Sequence, residues 1–231
     1  MATRDFDAPP RRPAHSAPFW HCAYRLGEGL YLNLTNRCTL TCAFCQRPRG
    51  DFQVAGHDLR LAWEPEASMV IARLLSGWPF GESEPGEIVF CGLGEPTLRW
   101  EPLLTVARWL RRRHPAIPLR LDTDGLANLR QDRDVTPDLG ALFDAVSVSL
   151  NAHDGATYAA LCPSRHGAAA HEAVLEFLRS ASGNVPFVRA SVVDVPGVDV
   201  EACRRLAERI GVPLLVRRGG AIGRHPLAVL Q

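Results

Sequence analysis

The segment L-N-L-T-N-R-C-T-L-T-C-A-F-C, residues 32–45, carries Cys38, Cys42 and Cys45 in a C-x-x-x-C-x-x-C spacing directly after a short apolar run. Three thiols carried close together on one loop suit a metal cluster better than a disulfide. A structural zinc site is closed by four ligands, and an ordinary four-iron cluster is held by four cysteines. No histidine in the loop lies at a partner spacing, and the remaining cysteines stand alone at Cys22, Cys91, Cys162 and Cys203.

The lack of a fourth ligand decides which chemistry this loop predicts. Three cysteines would hold a four-iron, four-sulfur cluster by three of its irons and leave one iron open for a small-molecule ligand. Phe44, directly before the third cysteine, adds a flat apolar face beside that open iron. The alternative is an accidental zinc loop, or three unrelated thiols.

Composition and charge narrow the class of protein. The 231 residues are 46% hydrophobic and 22% charged, which is typical of a globular domain. The net charge of +1 gives no electrostatic reason to expect nucleic acid or a membrane as a partner. Every basic residue is Arg, so a Schiff-base lysine is excluded. Unpaired cysteines without a secretory signal in residues 1–17 predict a reducing, cytoplasmic setting.

The chain alternates short apolar runs with amphipathic segments, which predicts a parallel α/β sheet. Residues 1–23 contain prolines and arginines with little periodicity and are expected to form a flexible N-terminal tail, and residues 226–231 are expected to form a C-terminal tail. A closed eight-stranded barrel needs about 250 residues, so we expect an open, six-stranded partial barrel. Its strands are predicted at 29–34, 87–91, 118–122, 145–150, 187–193 and 213–217.

Ligands of parallel α/β folds gather at the carboxyl ends of the strands. The second predicted strand is followed by C-G-L-G-E-P-T, in which glycines permit close backbone approach and Glu95 supplies a carboxylate. The next two strands end in L-D-T-D-G and S-V-S-L-N, which place short polar side chains at the strand tips. Asp124 and Gly125 are read equally well as a helix cap and turn.

Several segments of the sequence resemble motifs of the radical S-adenosylmethionine (radical SAM) enzymes. The three cysteines with an aromatic before the third look like the signature of that superfamily. Longer words resemble its TatD-associated subgroup, namely Y-L-N-L-T-N-R-C, I-V-F-C-G-L-G-E-P-T-L-R, D-G-L-A-N-L, S-V-S-L-N-A and V-V-D-V-P-G-V-D. The resemblance runs from about residue 24 to 217, and it implies a radical SAM core domain, 24–225, folded as a partial (β/α)6 TIM-like barrel.

The resemblance also implies positions for a [4Fe-4S] cluster and for SAM. Cys38, Cys42 and Cys45 would be the cluster ligands. The SAM contacts would be Phe44, Gly92, Gly94, Glu95, Pro96, Asp122, Ser149, Asn151 and Val195. Leu93 separates two glycines that are adjacent in the family motif, and Asp124 replaces an asparagine that relatives often carry.

The implied activity is reductive cleavage of SAM to a 5′-deoxyadenosyl radical that acts on an unknown substrate. Its electron donor would be a flavodoxin or a ferredoxin. Two related alternatives are a glycyl-radical-enzyme activase and a carboxydeazaguanine-synthase-like enzyme. A non-catalytic iron–sulfur electron-transfer or binding module explains the cysteines but leaves the polar strand tips without a use.

Two further features stay open at the level of sequence. Arg217 and Arg218 lie at the tip of the sixth predicted strand, where they would either bind an anionic substrate or simply be solvated. Cys162 and Arg165, in the word L-C-P-S-R, would either border the substrate or belong to a helix-ending turn.

Overall fold

A seven-stranded sheet forms the centre of the protein in the computed structural model, which describes residues 20–77 and 83–218. The strand order is β1-β2-β5-β6-β7-β8-β9, in which β1 is antiparallel to β2 and every later pair is parallel. The strands are β1 (Ala23–Leu26), β2 (Gly29–Leu32), β5 (Glu87–Phe90), β6 (Leu119–Thr123), β7 (Ala145–Ser149), β8 (Phe187–Asp194) and β9 (Leu214–Arg218). A separate hairpin pairs β3 (Gln53–Val54) with β4 (His57–Asp58).

Helices connect the parallel strands and cover the outer face of the sheet. They are α1 (Ala67–Leu75), α2 (Trp100–Arg113), α3 (Ala127–Gln131), α4 (Thr136–Gly140), α5 (Gly155–Leu161), α6 (Ala169–Asn184) and α7 (Val200–Ile210). α7 begins where the Asp199 side chain accepts a hydrogen bond from the Ala202 N–H, and it ends at Gly211 with a φ of 87°. No described helix has the length and apolar character needed to cross a membrane.

The predicted fold class is confirmed, because six parallel strands with intervening helices form an α/β partial barrel that does not close. The six parallel strands lie within two residues of their predicted limits. Several predicted features lie outside the described residues: the tail up to residue 19, the segment 78–82, the side chain of Arg218 and the C-terminal residues 219–231.

The sheet begins earlier than the sequence indicated, because β1 was not predicted. Cys22 and Ala23, which the sequence places in the tail, are buried in the core. β1 pairs with β2 along its whole length, from Ala23 opposite Leu32 to Leu26 opposite Gly29, and thereby covers an edge that would otherwise be exposed. A strand of four residues is too short for a clear period-two pattern.

The two faces of the sheet differ in chemistry because successive side chains of a strand point to opposite sides. On the outer face, Leu119 and Leu121 of β6 and Val146 and Val148 of β7 join the main apolar core under the helices. On the inner face, β6 and β7 carry polar residues instead. The inner face at β1, β2 and β5 is closed by a second apolar cluster formed with the β3–β4 hairpin, namely Tyr24, Tyr31, Val54, Leu59, Val89 and Leu93.

Candidate active site

An open cavity lies at the carboxyl ends of the strands, between the cysteine loop and the polar inner face of β6 to β9. Its volume available to the centres of water molecules is about 180 Å³. The inner apolar cluster forms one side, where Leu93 contributes to both the cluster and the cavity wall. The other walls are lined by Cys38, Leu40, Cys42, Phe44, Cys45, Gln46, Cys91, Gly92, Gly94, Glu95, Arg120, Asp122, Thr123, Asp124, Ser147, Ser149, Asn151, Arg189, Ser191, Val193, Leu215 and Arg217.

Most residues predicted for the site meet at this cavity, and two do not. Pro96 is buried at the start of a 3-10 turn that runs from Pro96 to Arg99, where its fixed φ suits a first helical position. Val195 follows the end of β8, and the chain turns away there through a hydrogen bond from the Val198 N–H to the Val195 carbonyl. Val193 lines the cavity on the strand before it.

The three loop cysteines all line the cavity, and the pKa of each of their thiols is raised. Burial raises the pKa of Cys38 to about 12 and raises the pKa of Cys45 as well. A hydrogen bond with Cys162 together with burial raises the pKa of Cys42 well above its usual range. A metal that binds these thiols must therefore displace their protons, which makes binding dependent on pH.

The described residues contain no group of three or more His, Cys, Asp or Glu side chains arranged to hold one metal ion. Ligands of a single ion must converge on one point, whereas the cysteines of a four-iron cluster each bind a different iron and stand further apart. The three loop thiols line one cavity, as a cluster bound through three different irons requires.

Two backbone hydrogen bonds tie the cysteine loop to the end of α5. The Thr41 N–H donates to the Pro163 carbonyl at 2.9 Å, and the Ala43 N–H donates to the Leu161 carbonyl at 2.8 Å. Cys162, between those two carbonyls, ends α5 and is fully buried. The predicted helix-ending turn is therefore present, and it also positions the cysteine loop.

Asn151 joins this turn to the cavity. It has a φ of 59°, in the left-handed region that asparagine tolerates better than most residues. Its Nδ2 donates to the Cys162 sulfur at 3.4 Å, while its Oδ1 is buried without a hydrogen-bond partner. An unpaired buried acceptor that lines a cavity fits a ligand with hydroxyl or ammonium donors, as SAM has.

Gly92 and Gly94 both lie against the segment that leads into the cysteine motif. A Cβ at Gly94 would lie 2.1 Å from the Thr35 carbonyl oxygen, and a Cβ at Gly92 would lie 2.5 Å from Oδ1 of Asn33. The Glu95 N–H donates to the Arg37 carbonyl at 2.8 Å across the same contact. Residues 35–37 and Gly94 therefore pack backbone against backbone, for which only glycine leaves room, whereas Gly92 lies against the side chain of Asn33.

Glu95 is a buried carboxylate that orders the tip of β6. Its Oε1 accepts from the Thr97 N–H at 3.0 Å and from the hydroxyls of Thr97 and Thr123 at 2.6 and 2.8 Å. Its Oε2 accepts from the Asp124 N–H at 2.7 Å. Burial, with a further contribution from the charge of Asp124, raises the pKa of Glu95 to about 7. The observed partners of this side chain thus belong to the protein, and its contact with SAM stays a prediction.

Asp124 links the β6 tip to the cysteine loop. Its Oδ2 accepts a hydrogen bond from the hydroxyl of Thr39, which lies between the first two cysteines. Its Oδ1 accepts from the Leu126 N–H at 2.9 Å, as in the predicted turn, and Gly125 has a φ of 78°. Sequence reasoning identified the turn but not the contact with Thr39, because the two residues are far apart in the chain.

A second carboxylate, Glu64, braces the segment before the cysteines. Arg37 donates to it at 2.6 and 2.8 Å, Arg99 donates at 2.7 Å, and the Thr35 hydroxyl donates as well. Burial opposes ionisation of Glu64, but the hydrogen bonds from Arg37, Thr35 and Arg99 prevail and lower its pKa to about 2. The sequence holds no local signal for this contact, which joins residues 35–37 to the chain after the hairpin.

Replacing Glu64 with Gln is expected to lower the free energy of unfolding by about 1–3 kcal/mol at neutral pH, because it removes charge-assisted hydrogen bonds. The folded-state pKa of about 2 lies below the ordinary value of 4.5. The stabilisation is therefore complete above about pH 4.5 and is lost as the pH falls through about 2. Urea titrations of the wild type and E64Q should accordingly differ less at about pH 3.5 than at pH 7.

The matched control for Glu64 is Glu201→Gln on α7, where the acidic side chain is 65% exposed beside Arg204. Exposed pairs of this kind contribute about 0–1 kcal/mol. A difference between wild type and E64Q that stays constant with pH would show that the charge of Glu64 is not what stabilises the loop.

The floor of the cavity holds a buried ion-pair network. Arg120 of β6 donates to Glu87 of β5 through Nε and Nη2, each at 3.1 Å, and to Asp122 through Nη1 at 2.8 Å. The side chains of Arg120 and Glu87 are only 3% and 6% exposed. Asp122, predicted to contact SAM, lines the cavity but is engaged by Arg120.

Comparison with known proteins agrees with this fold and this site. The sequence model of the radical SAM superfamily matches residues 32–210, from the cysteine loop to the end of α7. The chain therefore belongs to the radical SAM superfamily and is an enzyme. No curated protein gives a significant match.

A solved structure shares the fold. The crystal structure of a radical SAM methyltransferase from Sphaerobacter thermophilus aligns with a TM-score of 0.58 at 18% identity, over 85% of this chain and 68% of that chain. At this identity the likeness concerns the fold alone, and the partial barrel predicted from the sequence is the architecture that the two chains have in common.

Proposed function

We propose that this enzyme binds a [4Fe-4S] cluster through Cys38, Cys42 and Cys45 and cleaves SAM reductively to act on a substrate by hydrogen abstraction. The observation that carries the proposal is the meeting of the three thiols, Phe44 and the polar strand tips at one cavity. When bound, the cluster supplies one electron to SAM, which yields methionine and a 5′-deoxyadenosyl radical. An electron donor such as a flavodoxin or a ferredoxin belongs to the same proposal.

The residues around the cavity orient bound SAM and exclude water from it. Asn151 offers its unpaired Oδ1, and Ser149 is the last residue of β7, two residues before Asn151. Both side chains suit the ribose hydroxyls or the methionine group of SAM. Phe44 adds an apolar face beside the cysteines. The inner apolar cluster keeps water from one side of the cavity, which is what the protein contributes where a cofactor performs the difficult chemistry.

Three thiols and several strand-tip residues do not identify the substrate. The longer words shared with the TatD-associated subgroup support placing the chain there, and this placement is part of our proposal. The structural neighbour is a methyltransferase, but 18% identity gives no reason to carry methyl transfer over to this chain.

Electron paramagnetic resonance of the anaerobically reconstituted, dithionite-reduced protein tests the proposal. We expect a four-iron signal that changes when SAM is added, because SAM binds the open iron. An unchanged signal at full iron content would contradict SAM binding and favour an electron-transfer module. Protein that takes up zinc but no iron–sulfur cluster would refute the proposal.

The two related alternatives have separate tests. Anaerobic pull-down of a large glycyl-radical enzyme, with radical formation on that partner, would favour an activase. Formation of a deazapurine from a carboxytetrahydropterin would favour a carboxydeazaguanine-synthase-like enzyme.

A further inference from the structure

The inner wall of the cavity formed by β7, β8 and β9 carries two guanidinium groups without a carboxylate partner. Arg189 of β8 is 8% exposed, and its Nε donates to the Ser147 hydroxyl at 3.0 Å. Arg217 of β9 is half-buried, and its Nε is buried without a hydrogen-bond partner. Among residues 20–77 and 83–218, no Asp or Glu lies within ion-pair distance of either group.

The acids nearest to these arginines are already neutralised. Glu87 and Asp122 both pair with Arg120, which uses Nε, Nη1 and Nη2 for them. The inner face of these strands thus carries three arginines and the two carboxylates of Glu87 and Asp122. Since Arg120 pairs with both acids, Arg189 and Arg217 carry positive charges that these acids do not offset. Burial, with a further contribution from Arg120 and a smaller one from Arg217, lowers the pKa of Arg189. Keeping such a charge in a buried wall is costly unless an anion offsets it.

The two arginines lie on adjacent parallel strands and reach the same space. In the strand register, Arg189 is level with Ser147, and Arg217 is level with Val193 nearer the mouth. All four side chains line the cavity, together with Ser191. Guanidinium and hydroxyl groups together are the donors that bind carboxylate and phosphate oxygens.

We infer that Arg189 and Arg217 form an anion-binding subsite, so that the substrate carries a carboxylate or phosphate group held against the β8–β9 wall. This inference rests on the proposed function, since it names the chemical class of that site's substrate. In the strand order, β8 and β9 lie at the opposite end of the sheet from β2, which leads into the cysteine loop, so an anion held there leaves the remainder of the substrate to face the cluster side. The hydroxyl of Ser147 fixes the direction of the Arg189 side chain.

Isothermal titration calorimetry of the full chain under anoxia tests the subsite, with inorganic phosphate and malonate as probes and chloride to hold the ionic strength constant. We expect saturable binding of at least one probe, weakened tenfold or more in both R189Q and R217Q. The probe that binds more tightly tells a phosphate from a carboxylate substrate. Arg205→Gln, on the exposed surface of α7, is the matched control and should bind like the wild type.

Three outcomes would overturn the subsite. The first is that neither probe binds saturably. The second is that R189Q and R217Q both bind the probe as tightly as the wild type does. The third is that the R205Q control loses as much affinity as they do. Because Arg189 is buried, circular dichroism checks each variant. If R189Q does not fold, the half-buried Arg217 and its Gln variant carry the test.

A competition experiment on the wild type separates the substrate from SAM. The dissociation constant of SAM should be unchanged in saturating phosphate, because the two arginines lie on β8 and β9, whereas the cavity residues proposed for SAM lie in the cysteine loop and on or after β5, β6 and β7. Competition between them would assign the arginines to the carboxylate of SAM and overturn the substrate subsite. If the protein binds phosphate but forms no cluster, the proposed function is refuted and the anion site is retained. If the protein cleaves SAM but binds no anion, the anion site is refuted and the proposed function is retained.

Discussion

Cys42→Ala is expected to abolish cluster binding and SAM cleavage while leaving the fold nearly intact. The reason is that Cys42 contributes a proposed ligand from a loop that other contacts already hold. The Thr41 and Ala43 backbones on either side of it bond to the end of α5, and Thr39 bonds to Asp124. Truncating one half-buried thiol should lower the free energy of unfolding by only about 1 kcal/mol.

Iron content, the paramagnetic resonance signal and 5′-deoxyadenosine formation measure the first effect, and far-ultraviolet circular dichroism measures the second. Cys203→Ala is the control, since Cys203 is fully buried in α7 away from the cavity. Cys91→Ala and Cys162→Ala extend the comparison to the other two thiols near the loop. A cluster retained by C42A but lost by C91A would mean that Cys42 had been wrongly assigned as a ligand in place of Cys91, and broad unfolding of C42A would show that Cys42 mainly holds the fold.

Gly94→Ala is expected to have the next largest effect, because it pushes the loop after β5 away from the cysteine loop. The added Cβ would lie 2.1 Å from the Thr35 carbonyl and 2.6 Å from the Arg37 carbonyl, both backbone atoms that cannot rotate aside. Overpacking of this kind costs about 1–3 kcal/mol. The displaced segment leads directly into Cys38, so the folded protein should also bind less iron.

Two other glycines provide matched controls for Gly94. A Cβ at Gly140 would lie 2.1 Å from the Asn184 carbonyl, an equally severe clash outside the site, so G140A should destabilise the protein and keep its iron per folded molecule. A Cβ at Gly183, near the end of α6, would meet nothing within 4 Å, so G183A should be neutral or stabilising by up to about 1 kcal/mol. Denaturant titration and iron analysis on folded protein give both quantities. Loss of iron in G140A equal to that in G94A would refute a specific effect on the loop.

The sequence by itself determined the fold class and the general chemistry of the site. Apolar runs of β-strand length alternating with helical periods identified all six parallel strands. The cysteine spacing and the polar residues after strands could be read locally, because parallel strands bring their carboxyl ends to one edge. The same rule explains why most of the predicted site residues line one cavity.

Only the tertiary structure decided how these residues are held and which ones face the cavity. The contacts of Glu64 with Arg37, of Asp124 with Thr39 and of Pro163 with Thr41 join segments distant in the chain, and no local pattern encodes such pairs. Pro96 and Val195 lie outside the cavity because a 3-10 turn begins at Pro96 and the chain turns directly after the end of β8.

The charge of the cavity wall likewise depends on pairing in three dimensions. Arg120 and Arg189 both alternate with apolar residues within their strands, and two residues later on the same face Arg120 has Asp122 whereas Arg189 has Ser191. Strand order places Glu87 beside Arg120 and leaves Arg189 next to a serine. The sequence thus determined which chemical groups the protein has, while the packing of strands and loops decided which of them remain free to bind a ligand, because a charge already paired inside the fold is no longer available to bind one.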